Sequence, residues 1–117
     1  MDMDEAPLPL FDNLRPPSPL SAAGHRHRMR QRLLTAGADG IADHELLEMT
    51  LFLALPRRDT KAIVRALLSR FGSYAGTIAA PVPELLRVDG LGDAGAAALK
   101  TVQAAALRLA RAGVASG

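Results

Sequence analysis

Eight consecutive positions, His25 to Arg32, hold four arginines and two histidines. Three kinds of chemistry are open to such a cluster: a metal site, a grip on phosphate, or the solvated face of a helix. Metal is the poorest fit. Residues two apart on a helix point about 200° from one another, so His25 and His27 cannot share an ion there. Guanidiniums do suit phosphate, and on a helix Arg26 and Arg30 flank one side of an apolar stripe of Met29, Leu33 and Ala36, with Arg28 and Arg32 on the other. The same pattern equally describes arginines that lay their stems over a core, pair with Glu45, Glu48 or Asp59, or dock a protein.

A second basic group, Arg57, Arg58 and Lys61 in PRRDTK, surrounds the start of a helix. Cations there oppose the helix dipole, so the segment calls for an anionic neighbour, either Glu48 or a phosphate. The most informative stretch is VDGLGDAGAAALK, residues 88 to 100. Gly90 and Gly92 permit a turn too tight for side chains, and Leu91 between them can tuck under the flanking helices. This is a helix-hairpin-helix pattern. The turn and the first turn of the next helix aim unpaired amides at one phosphate oxygen, which grips the backbone without reading bases. Candidate contacts are therefore Gly90, Leu91, Gly92 and Lys100, with Arg26, Arg30, Arg57, Arg58 and Lys61 as a basic rim. Against this, Asp89 and Asp93 bring carboxylates to the turn, and Ala94 stands where such motifs often carry a cation.

Nothing in the chain assembles catalytic machinery. Ser69, Ser73, Thr77 and Thr101 have no nearby histidine with a supporting acid, cysteine is absent, and Asp43-His44-Glu45 reads as a helix cap followed by helix surface. We expect no enzymatic activity from this chain alone, no cofactor and no bound metal.

The elements that must position these residues follow from composition and spacing. The 117 residues fit one domain, with an apolar fraction of 49%. Residues 1 to 24 carry a net charge of −3 and the remainder +5, so the body is moderately basic. No stretch is long and apolar enough for a membrane span, and the acidic start MDMDEAP does not resemble a signal peptide, which points to the cytoplasm. Residues 1 to 23 hold five of the eight prolines and read as a disordered acidic leader. From Gly24 the apolar spacing is helical and lacks any run of period two. The expected fold is all-α, a compact bundle of about six short helices over residues 24 to 112, with 113 to 117 as a linker. Helices are expected over about 25–36, from an Asp43 N-cap to Pro56, from an Asp59 or Thr60 cap to Gly72, from Ser73 through YAGTIAA, over PELLRV, and over about 93–112.

Three blocks in order, GHRHRMRQRLL, DHELLEMTLFLALPRRDTKAIVRALLSRFGS and ELLRVDGLGDAGAAALK, resemble the amino-terminal helical domain of the bacterial RadC family, described as DNA-repair-protein-like. The resemblance covers residues 24 to 112. It implies a module fused to a carboxy-terminal JAB/MPN metalloprotease-like domain, which places zinc with an H-x-H pair, a Ser and an Asp, and which would follow Gly117. The function so implied is a non-catalytic module that binds DNA or a branched nucleic acid and positions the JAB/MPN domain. The alternative is a protein-interaction scaffold that orients that domain with little DNA affinity. In the leader, Leu8-Pro9-Leu10-Phe11 resembles the core of peptides that dock on the bacterial sliding clamp, which makes Leu8, Leu10 and Phe11 candidate clamp contacts.

Overall fold

The computed structural model describes residues 21–116 as six α-helices and one 3-10 turn, with no strand among them. The all-α expectation holds. The chain divides into two compact units, Met1–Gly40 and Ile41–Gly117.

In the first unit, α1 (Ala22–Ala36) begins earlier than the apolar pattern predicts, because Ser21 supplies the cap: its Oγ accepts the Gly24 amide at 2.8 Å. Gly37 closes the helix with its amide on the Leu33 carbonyl, and a 3-10 turn follows at Ala38–Gly40. Arg32 fastens that turn, Nη2 donating to the Gly40 carbonyl at 2.8 Å. Met29 is buried, Leu33 is half-buried, and Arg28, Arg30 and Arg32 are exposed.

The second unit contains α2 (Asp43–Ala54), α3 (Lys61–Phe71), α4 (Tyr74–Ala79), α5 (Val82–Leu85) and α6 (Gly92–Ser116). Its core joins Leu47, Leu51 and Leu55 from α2 and its end, Ile63, Val64 and Leu67 from α3, Leu85, Val88 and Leu91 around the last turn, and Leu99 from α6. Each fully buried leucine contributes roughly 1.5–3 kcal/mol of hydrophobic stabilisation. Helix α2 is central, packing on α3, α4 and α6. Its N-cap position is Ala42, one residue before the Asp43 that the sequence suggests, and Glu45 compensates by accepting the Ala42 amide at 3.0 Å. Asp43 caps a different helix: its Oδ2 accepts the Tyr74 amide at the start of α4, at 2.9 Å. Ser73 completes that start by accepting the Gly76 amide.

Helix α6 extends four residues past the expected end at Ala112 and runs 25 residues in all. Residues 104–114 are exposed, so the amino-terminal half of this helix does the packing. No described helix is long and apolar enough to cross a membrane.

Candidate functional site

The approach to α6 is built from a short helix and two successive turns. After α5, the Val88 amide donates to the Leu85 carbonyl at 3.0 Å, and the Leu91 amide to the Val88 carbonyl at 3.2 Å. The second of these closes a four-residue turn, Val88-Asp89-Gly90-Leu91, in which Gly90 is third with φ of +87°. A type II turn needs a positive φ at that position, so glycine is the residue that fits. Gly92 follows with φ of +64° and releases the chain into α6.

Leu91 is the anchor. Its side chain is fully buried, while Gly90, Gly92, Asp93 and Ala94 on either side are exposed. The first α6 amide with a helical partner is that of Gly95, on the Leu91 carbonyl at 3.2 Å. Among the described residues, the amides of Gly92, Asp93 and Ala94 have no protein acceptor and lie at the surface. These are the orphan donors of a helix start, at the positive end of its dipole.

Arg58 ties PRRDTK to this turn. Its Nη1 donates to the Gly90 carbonyl at 2.7 Å. A Cβ placed on Gly90 would meet Ile63 Cδ1 at 3.2 Å and Arg58 Nη1 at 3.9 Å, so the turn lies against the first turns of α3. Arg57 and Lys61 are exposed on the same segment, Lys61 as the first residue of α3. The local cost of cations at a helix start is met partly by Asp59, whose Oδ1 accepts the Lys61 amide at 3.0 Å.

Other expected contacts are placed differently. Lys100 is half-buried and its Nζ donates to the Ile78 carbonyl and to Gln103 Oε1, each at 3.1 Å, closing the carboxy-terminal end of α4. Arg26 and Arg30 sit on α1 in the first unit, Arg26 half-buried and Arg30 exposed. Leu8, Leu10 and Phe11 lie outside the described residues. No group of three His, Cys, Asp or Glu side chains suited to a metal occurs among the described residues.

The partners of Glu84 are less legible in the sequence than its charge. Glu84 of α5 accepts from Arg70 Nη2 of α3 at 2.7 Å and lies 3.6 Å from Arg87 Nη1. The Arg70 hydrogen bond, with the charge of Arg87, holds the Glu84 carboxyl below its ordinary value of 4.5. Only the Glu84–Arg87 half of this bridge has a sequence signal, the i,i+3 spacing.

Fold and turn together define an all-helical module organised around a glycine-supported helix entrance. The chain is similar to two proteins named UPF0758: one from Rhodobacter capsulatus, 52% identical over 83 residues, which are 71% of this chain and 39% of that protein, and one from Ruegeria pomeroyi, 46% identical over 90 residues, which are 77% of this chain and 40% of that protein. The chain thus spans about two-fifths of the length of the curated relatives it matches. No protein-family model matches it. No solved structure matches it either.

Proposed function

We propose that this chain is a RadC-like helical module whose turn Val88–Leu91 and entrance to α6 act as a helix-hairpin-helix, gripping the phosphate backbone of DNA without reading sequence. The relatives named UPF0758, which is the RadC-like family, support the family reading. The observation that carries the nucleic-acid reading is the Arg58–Gly90 hydrogen bond, because it sets a segment with three cations beside three unpartnered amides. A phosphate oxygen on the amides of Gly92, Asp93 and Ala94 gains both their hydrogen bonds and the dipole. Arg57 and Lys61, on the same segment as Arg58, would then meet neighbouring phosphates, while Arg58 holds the turn in shape. No reaction is assigned to the module. In the full-length protein it would position a JAB/MPN domain on nucleic acid.

A second reading draws on Asp89 and Asp93, both exposed at the turn. Their charge weakens an anion site, and a module that docks and orients a protein domain would tolerate them. Salt dependence separates the two. Fluorescence anisotropy with a labelled forked duplex, repeated between low and moderate salt, should show log affinity falling steeply with log salt, by about 0.9 per phosphate contacted. The double variant Arg57→Glu/Lys61→Glu should weaken binding at every sequence tested and flatten that slope. Binding that is weak throughout, with equal slopes for both proteins, would favour the docking reading.

A further inference from the structure

Asp89 and Asp93 bring two carboxylates to the entrance of α6. Asp89 is the second residue of the turn Val88–Leu91, and Asp93 lies in the first turn of the helix, its own amide being one of the three unpartnered donors. Both are exposed, and neither side chain has an ion-pair or hydrogen-bond partner among the described residues. Asp59, by contrast, accepts the Lys61 amide, and Glu84 engages Arg70 and Arg87. The whole charge of Asp89 and Asp93 therefore bears on whatever approaches the amides.

Magnitudes decide what can approach. The amino-terminal end of a helix dipole is equivalent to about half a positive charge. Arg58, held at the Gly90 carbonyl, adds one cation beside the turn. Together they offset one carboxylate and about half of the other, so the local field stays slightly negative. For an anion of one charge, hydrogen bonds from three amides can outweigh that residue of repulsion. For a dianion the repulsion doubles while the number of donors stays the same. Arg57 and Lys61, exposed and without a side-chain partner among the described residues, tip the balance only for a chain of phosphates, whose further members they can attract.

We propose that Asp89 and Asp93 are selectivity residues of this entrance. They close it to inorganic phosphate and to the terminal phosphate of a nucleotide or a cut strand, each of which carries about two charges near neutral pH. They leave it open to an internal phosphodiester, which carries one charge and brings its neighbours to Arg57 and Lys61. The ligand so selected is a continuous nucleic-acid backbone. This inference rests on the reading of the entrance as a phosphate site and gives the two acids a role there.

The test compares the full 117-residue chain with Asp89→Asn/Asp93→Asn, using inorganic phosphate and a labelled duplex with 5′-hydroxyl ends as probes. Nitrogen–proton NMR follows the amides of positions 92 to 94 as phosphate is added, and fluorescence anisotropy follows the duplex. The wild type should bind the duplex and leave those amides unmoved by phosphate. In the double variant, phosphate binding should become saturable, with affinity up by about ten-fold or more, while duplex affinity rises by only about three-fold. Asp39→Asn removes an exposed carboxylate in the other unit and should change neither, which separates a local effect from one of net charge. Thermal melts verify that each variant folds. Phosphate binding of equal strength in the wild type and the double variant would overturn the selectivity role, and persistent duplex binding would then leave the phosphate site itself standing. Duplex affinity that rises as much as phosphate affinity would overturn the role too, since the acids would be weakening every anion alike. Failure of both proteins with both probes would remove the phosphate site and the selectivity role together. Phosphate binding confined to the variant would uphold the role, even if the wild type failed on the duplex.

Discussion

Arg58 Nη1 and the carbonyl oxygen of Gly90 lie 2.7 Å apart although the residues are 32 positions apart in sequence. That bond joins the loop after α2 to the entrance of α6 and fixes the turn in which Gly90 carries a positive φ. Arg58→Ala should destabilise the chain by about 0.5–1.5 kcal/mol, the net worth of such a bond at an exposed site. Arg58→Lys should restore only part of this, because an ammonium lacks the planar reach of the guanidinium. Urea unfolding, read by circular dichroism, measures both.

The packing under the turn yields a sharper steric prediction. A Cβ on Gly95 would stand 2.5 Å from Leu91 Cδ1 and 2.8 Å from Leu91 Cγ, and Leu91 is fully buried. Alanine is ordinarily the better helix former, yet Gly95→Ala should here cost roughly 1–3 kcal/mol by overpacking. A stabilised protein in the same urea titration would contradict the placement of Leu91.

Asp43 provides a third test, through the Tyr74 amide that its Oδ2 accepts. Tyr74 is held a second time, its hydroxyl 2.9 Å from Thr50 Oγ1 of α2. Asp43→Ala should lower stability by about 1 kcal/mol, the usual worth of a capping side chain. Hydrogen exchange should show faster opening of α4 in that variant, with α3 protected as before.

Glu84 sets the acid dependence of the α3–α5 contact. Because its folded carboxyl titrates below 4.5, its stabilising contribution is fully present above 4.5 and is lost as pH falls through the lowered folded value. The stability gap between the wild type and Glu84→Gln should therefore persist at neutral pH and close on acidification below 4.5. A carboxyl titration followed by NMR should give a midpoint under 4.5 for this residue. The gap itself is small, since the Arg70 and Glu84 side chains are each more than a third exposed and water screens the pair.

Local signals were legible in the sequence wherever the deciding partner lay within a few residues. Gly72 ends α3 with a positive φ, Ser73 caps α4, and the Gly-Leu-Gly corner precedes α6, all as spacing and residue type suggest. Partners distant along the chain were not legible. Asp43 reads as a cap and Lys100 as a candidate phosphate contact, and neither residue type shows that one reaches across to Tyr74 and the other to the Ile78 carbonyl. Charge alone asks for an anionic neighbour to Arg57 and Arg58, Glu48 or a phosphate, and gives no sign of the main-chain carbonyl at Gly90 that accepts a hydrogen bond from Arg58. Boundaries erred where a pattern was too uniform. The alanine-rich end of α6 carries no stop before Gly113, and α6 runs through to Ser116.

The central claim is that the entrance to α6 offers three backbone amides to a phosphate. The most direct measurement is a two-dimensional nitrogen–proton NMR titration of the chain with a short forked duplex at low salt. The account predicts that the amide resonances of Gly92, Asp93 and Ala94 move the most, saturably, with Arg57 and Lys61 following, and that added salt reverses the shifts. Saturable DNA binding that leaves those three amides unmoved would contradict it.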